Sequence, residues 1–203
     1  MKNISVLALF LSISATALFT NCTNSSKIQE TAIDSTAIDS TQILQTIKNM
    51  YAWQGTADTT ELGDFTLAYP NHGICTGIDQ EANNNRMTKL RETGFFADDF
   101  FDNYKRILTK IDTEIKADTA KYREGDGLES DYLSASPWCK CQDNPDKFWE
   151  TLIIKDLVID GNEASTKWFW VWEGNEFNYQ VKLKKANNTW KISNLEGFED
   201  YLK

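Results

Sequence analysis

The sequence predicts an α+β domain in which N-terminal helices pack on a curved, cone-like meander of four antiparallel strands. In the first half of the chain, apolar residues recur at the three- and four-residue spacing of one helix face. In the second half, apolar and polar residues alternate over four runs, and turns rich in glycine and asparagine separate those runs. Helices followed by a series of strands favour the α+β class over an alternating α/β fold.

Two helices are predicted with clear apolar faces. The first lies in TQILQTIKNMYAW, with Thr41 as its N-cap. The second lies in FADDFFDNYKRILTKIDTEIKADTAKY, where acidic residues precede lysines as the helix dipole favours. Between them we expect a long loop with an extended piece at Phe65–Tyr69 and a short helix near Arg86–Thr93. The apolar face of the second helix consists of Phe100, Tyr104, Ile107, Leu108, Ile111 and Ile115.

The four predicted strands are TLIIKDLVID, EASTKWFWVWE, EFNYQVKLKK and NTWKISNLE. The short polar segments DGN, EGN and ANN lie between them and are typical of hairpin turns. Along the third strand apolar and polar side chains alternate, so one face of the sheet is expected to be buried (the dry face) and the other to be exposed to solvent (the wet face). The dry positions of that strand are Phe177, Tyr179, Val181 and Leu183.

The first residues resemble the signal of a bacterial lipoprotein. A lysine precedes the apolar run ISVLALFLSISATALF, which is shorter than the roughly 20 residues of a membrane span. The following Cys22 lies in a setting similar to the relaxed lipoboxes of the Bacteroidetes; an ordinary signal peptide is the alternative. We therefore expect a signal peptide over residues 1–21, a lipid on Cys22, and a flexible polar tether over 22–41.

Size and charge restrict the class of partner. Residues 42–203 are expected to form a single α+β domain of ordinary size. Aromatic residues make up 12% of the chain, which is ample for a core. The formal net charge is −9, and such a surface repels phosphate backbones, so we expect no nucleic-acid partner.

Four motifs in the domain carry a family resemblance. They are the helical FFADDFFDNY, the pair Pro137-Trp138, the tripeptide CQD that begins at Cys141, and the closing TWKISNLEGFEDY. Together they resemble a family found in bacterial envelope lipoproteins, domain of unknown function 3828. The resemblance covers about Ile43 to Tyr201. It implies the cone fold of ketosteroid isomerase and nuclear transport factor 2, and it implies no established activity. An acidic residue often precedes the proline in that family, whereas this chain has Ser136.

The cysteines offer a disulfide or a metal site. If lipidation consumes Cys22, an oxidising envelope leaves one bridge and one thiol among Cys75, Cys139 and Cys141. A bridge between Cys139 and Cys141 would close a tight ring, so we expect Cys75 to pair with one of them. The alternatives are free or redox-active thiols and a zinc site, although C-x-C is a poor zinc spacing. The candidate zinc ligands are His72, Cys75, Cys139 and Cys141. We expect no other cofactor.

Acidic residues give weak evidence for catalysis. An isomerase-like enzyme would need a carboxylate base in the cone and a donor for the developing oxyanion. Asp98, Asp99 and Asp102 lie near a helix start, where acids commonly interact with the dipole. A second acidic group lacks the spacing of a calcium-binding EF loop, and we interpret it as a solvated loop. Its members are Glu124, Asp126, Glu129 and Asp131.

Three tryptophans, Trp168, Trp170 and Trp172, alternate along the second predicted strand and therefore share one face. Phe169 and Val171 lie on the opposite face. The pattern is typical of a central strand buried on both faces. The alternative is an aromatic wall that stacks on a sugar ring or covers a small apolar ligand. The candidate ligand-binding residues are Trp168, Trp170, Trp172, Tyr179 and Trp190.

These features predict a membrane-anchored envelope lipoprotein with a non-catalytic module that binds a ligand or a partner. The expected partners are the membrane, through the lipid, and an envelope protein, a glycan or a small apolar ligand. We expect the outer membrane as the location, with the domain facing the periplasm. The alternatives are a small-molecule enzyme with a cone pocket and a zinc or thiol protein centred on Cys75, Cys139 and Cys141.

Overall fold

The computed structural model describes residues 35–56, 65–70, 73–118, 136–141, 146–172 and 174–203. All of them belong to one compact unit, Ile33–Lys203. The predicted lipidation site Cys22, the candidate ligand His72 and the acidic loop around Glu124 lie outside these ranges. In chain order the elements are α1 (Ser35–Thr56), β1 (Leu67–Ala68), β2 (Gly77–Ile78), α2 (Gln80–Glu92), α3 (Asp98–Ala117), α4 (Phe148–Thr151), β3 (Ile153–Asp160), β4 (Glu163–Trp172), β5 (Asn175–Ala186), β6 (Thr189–Leu195) and α5 (Glu196–Asp200).

The four long strands form an antiparallel meander in the order β3-β4-β5-β6, so the predicted α+β class is confirmed. The cone-like curvature stays a prediction. The turn between β5 and β6 contains Asn187 and Asn188 at φ values of 51° and 59°, as a tight hairpin of this twist requires. Opposite positions across β4 and β5 include Thr166 with Val181 and Trp168 with Tyr179. These four side chains are buried, and they form part of the inner face of the sheet.

Helix α3 has the buried face that the sequence predicts. Every residue expected on that face is buried, and Ile107, Ile111 and Ile115 are fully so. The segment before the helix pairs with the edge of β6: the Ala97 N–H donates to the Ile192 carbonyl, and the Ile192 N–H donates to the Phe95 carbonyl. This pairing fixes the start of α3 at the β6 edge of the sheet.

Helix α1 begins at Ser35, ahead of the expected start. The predicted N-cap was wrong, because Thr41 lies inside the helix and its hydroxyl donates to the Ala37 carbonyl. Part of the predicted tether is therefore helical. The physical reason is a contact with the sheet, in which the Asp39 carboxylate accepts from Lys185 Nζ at 2.6 Å and from Trp190 Nε1 at 2.9 Å.

The segment between α1 and α3 contains the expected extended piece and helix. Strands β1 and β2 pair antiparallel, and α2 follows at once. The helix begins earlier than predicted because the Asp79 side chain caps it and accepts from the Ala82 N–H. Among the residues that the structure describes, no helix combines the length and the apolarity needed to cross a membrane.

Candidate functional site

The candidate aromatic residues are part of the core. Trp168 and Tyr179 are fully buried and stack with ring centroids 5.3 Å apart, while Trp170 and Trp190 are exposed by 3% and 1%. These four side chains are therefore part of the core. Burial of the strand on both faces was wrong in part, because Val171 on the opposite face is 67% exposed while Phe169 is buried. A ligand-binding role for the aromatic residues stays a prediction, which their burial does not favour. The side chain of Trp172 lies outside what the structure describes. Sequence alternation could not separate the two interpretations, since both place the rings on one face.

Two buried tyrosines hold the Pro137-Trp138 pair. The Tyr51 hydroxyl donates to the Trp138 carbonyl at 2.6 Å, and the Tyr179 hydroxyl donates to the Pro137 carbonyl at 2.5 Å. Burial raises the pKa of both tyrosines. Two further donors complete the network, because Trp168 Nε1 donates to Tyr51 and the Gly197 N–H donates to Tyr179. Each hydroxyl thus donates to a backbone carbonyl, whereas an isomerase-like site needs a donor that is directed at the substrate oxyanion.

The loop that contains these carbonyls is closed by a disulfide between Cys139 and Cys141, with Cα atoms 5.2 Å apart. The expected pairing of Cys75 was wrong, because Cys75 is a buried free thiol beside the Gly77 carbonyl. A local turn brings the bonded cysteines together: the Ser136 N–H donates to the Cys141 carbonyl, and Lys140 adopts a left-handed φ of 53°. The disulfide occupies two of the four thiol and imidazole ligands of the zinc alternative. In the described ranges, no three residues of the His, Cys, Asp or Glu type are placed so that they could hold a metal ion.

Lys140 connects the same loop to α5 through two ion pairs. Its Nζ lies 3.2 Å from Glu196 and 3.1 Å from Asp200. Burial opposes the charge of Lys140, but the hydrogen bonds that Lys140 donates to the two carboxylates outweigh burial and raise its pKa. Burial likewise opposes ionisation of Asp200, and the lysines Lys203 and Lys140 outweigh it and lower the pKa of that carboxyl. Residues 138–141 therefore form a structural loop that the disulfide and these ion pairs hold against the domain.

An open groove of about 450 Å³ crosses the other face of the sheet. It extends from the β3–β4 hairpin over β5 and β6 to the first turn of α3 and to α5. Its lining is polar except for three small or aliphatic residues. The lining residues are Asp99, Asn103, Val158, Asp160, Glu163, Ala164, Ser165, Lys182, Leu183, Lys184, Ser193, Asn194 and Glu199.

Ion pairs position the two lysines of the groove. Lys182 Nζ lies 2.7 Å from Glu199, and Lys184 Nζ lies 3.0 Å from Asp99. The hydrogen bond that Lys184 donates to Asp99, followed by the charge of Asp99, raises the pKa of Lys184. Asn194, which is only 9% exposed, donates to the same Glu199 carboxylate. The groove therefore has a fixed row of paired charges along β5.

The predicted acids are separated rather than gathered. Asp98 pairs with Arg91 at 3.0 Å on the surface, Asp99 lines the groove, and Asp102 is exposed on α3. Sequence analysis missed the groove as a site. The wet face of β5 was a usable signal, since Lys182 and Lys184 lie on it, but the residues of α3 and α5 that pair with them are distant in the chain.

Comparison with protein-family models, with curated proteins and with solved structures gives no match.

Proposed function

We propose that this protein is a membrane-anchored envelope lipoprotein whose domain binds a polar ligand or partner protein without catalysis, through the groove on the outer face of its sheet. The observation that carries the proposal is the groove itself. It is open, polar and about 450 Å³ in volume, and two ion pairs position four of its charged side chains, Lys182 with Glu199 and Lys184 with Asp99. Its volume lies within the range of about 300–1,000 Å³ that is usual for the concave binding sites of proteins.

Three observations favour polar binding over the alternatives. The aromatic residues that would have surrounded an apolar ligand lie in the core, which removes the support for such a ligand. The tyrosine hydroxyls that could have served an enzyme donate to the carbonyls of Pro137 and Trp138, and burial raises their pKa. The disulfide of Cys139 and Cys141 likewise weakens the support for a zinc or thiol protein.

The anchor is proposed from the sequence. Lipid on Cys22 would hold the chain on the outer membrane, facing the periplasm, since each buried methylene contributes about 0.8 kcal/mol. Labelling cells with palmitate tests this part. We expect label in the wild type and none in Cys22→Ala; equal label in both would rule the anchor out.

The binding part is tested by filling the groove. Ser165 is half-buried and lines the groove, so Ser165→Trp places a ring there, whereas Glu92→Trp adds the same ring at the exposed end of α2. The full chain in detergent is titrated with soluble cell-wall fragments and with fractionated envelope proteins. We expect saturable binding that Ser165→Trp abolishes and Glu92→Trp retains, with thermal unfolding as the check on folding. Binding that is absent, or that is equal in both folded variants, would contradict the proposal.

A further inference from the structure

We infer that the groove accepts an extended, cationic segment of polypeptide, and this inference rests on the proposed binding function. The first support is charge. The lining contains four carboxylates and two ammonium groups, for a formal charge of −2, in a chain whose net charge is −9. Such a site repels phosphates and other anions and attracts cations over about 10 Å at ordinary salt.

The second support is the placement of the acids on the β3–β4 hairpin. Asp160 and Glu163 lie directly opposite each other in the register of the two strands. Like charges at opposite positions destabilise a hairpin. Within the described ranges Asp160 forms no ion pair, and Glu163 has only a 4.0 Å contact with Lys184. The fold therefore retains a repulsive pair at the mouth of the groove, and a bound cation relieves that repulsion.

The third support is the shape and chemistry of the rest of the lining. The groove is open and its lining comes from all four strands of the meander, so it has room for an extended chain that crosses the sheet. No aromatic side chain of the described residues lines it, and stacking on aromatic faces is the usual means of holding a sugar ring. The hydroxyls of Ser165 and Ser193, both half-buried, are available to the backbone of a bound peptide.

The test separates this inference from general attraction to an acidic protein. Asp160→Asn with Glu163→Gln removes two charges in the groove, and Glu92→Gln with Asp118→Asn removes two exposed charges elsewhere. Each full-length protein is titrated with oligolysine, with oligoglutamate and with a neutral chito-oligosaccharide. We expect oligolysine to bind the wild type and the control pair alike, and the groove pair about fivefold or more weakly. Oligoglutamate should not bind, and added salt should weaken the oligolysine complex.

A second readout comes from the free protein. Because the substitutions remove the repulsion across the hairpin, the groove pair should unfold at a higher temperature than the wild type while it binds oligolysine less well. The inference is overturned if the groove pair binds oligolysine as well as the control pair does. It is also overturned if the neutral oligosaccharide binds and oligolysine does not. In that case a glycan occupies the groove, and the proposed binding function, tested with Ser165→Trp, still stands.

Discussion

The hydroxyl of Tyr179 donates to the carbonyl of Pro137 at 2.5 Å, across 42 residues of sequence. Tyr51 does the same for the adjacent carbonyl of Trp138, from the opposite end of the domain sequence. Both carbonyls belong to the loop that the Cys139–Cys141 disulfide closes. Since buried carbonyls need partners, these two hydroxyls allow an irregular loop to lie inside the core.

Removing the Tyr179 hydroxyl should destabilise the protein markedly. In Tyr179→Phe the Pro137 carbonyl loses its donor and the Gly197 N–H loses its acceptor, and all three residues meet in the buried interior. We expect a loss of about 2 kcal/mol or more in the free energy of unfolding. Urea denaturation monitored by tryptophan fluorescence measures it.

A double-mutant cycle with Tyr51→Phe is the control for this prediction. Both hydroxyls hold the same dipeptide, so once one carbonyl is released the second bond should contribute less. We expect the double variant to lose less than the sum of the single losses, by about 0.5 kcal/mol or more. Additive losses would show that the two tyrosines act independently.

Gly197 is required because α5 lies against the loop. A Cβ at this position would approach the Pro137 carbonyl oxygen to 2.2 Å and the Pro137 Cα to 2.7 Å, and both are backbone atoms that cannot rotate away. We expect Gly197→Ala to cost about 3 kcal/mol or to prevent folding. Gly94→Ala is the comparison, because Gly94 has a φ of 73° but open space around it, and backbone strain alone costs about 1–2 kcal/mol. Equal thermal shifts in the two variants would contradict the steric argument.

The stability that the contact between α1 and the sheet contributes should depend on pH. A hydrogen bond from Lys185, and then one from Trp190, lowers the pKa of Asp39 below its ordinary 3.8. For an acid with a lowered pKa, the stabilisation is complete above the unfolded value and is lost as the pH falls through the lower folded value. We therefore expect the wild type to exceed Asp39→Asn in stability near neutral pH, with the difference disappearing in strong acid.

Urea midpoints of the two proteins across that pH range provide the measurement. Asp118→Asn, which removes an exposed carboxylate at the end of α3, is the control. A difference for Asp39→Asn that is constant down to strong acid would mean that the Asp39 charge contributes nothing.

The cysteine pairing found by chemical mapping should be the one in the structure, with Cys139 bonded to Cys141 and Cys75 free. Alkylation of the native, unreduced protein should leave Cys75 unmodified, since it is fully buried, and unfolding without reductant should expose it. Peptide mapping should find Cys139 and Cys141 joined within one short peptide. A peptide that links Cys75 to either of them would contradict the pairing. Because the closed ring is short, chain entropy predicts that removing this bridge costs only about 1.5 kcal/mol.

The periodic elements follow from the sequence alone. Alternation along β5 places Tyr179, Val181 and Leu183 on the buried face and Lys182 and Lys184 on the wet face, as the structure has them. The apolar positions of α3 likewise predict the side that is buried. Side-chain direction repeats with the local backbone period, so these features need no knowledge of distant residues. For the same reason the α+β class and the four-stranded meander are predictable.

Other features depend on which distant faces meet, and only the tertiary structure decides them. The alternating aromatics of β4 fit a core or a binding wall equally well until helices cover that face. Helix α1 extends back to Ser35 because the Asp39 carboxylate accepts a hydrogen bond from Lys185, which lies 146 residues away in the sequence. The groove gathers Asp99, Glu163 and Glu199 from three separate elements. The disulfide depends on the turn at Lys140, whose left-handed backbone brings Cys139 beside Cys141, and loop length carries no information about that geometry.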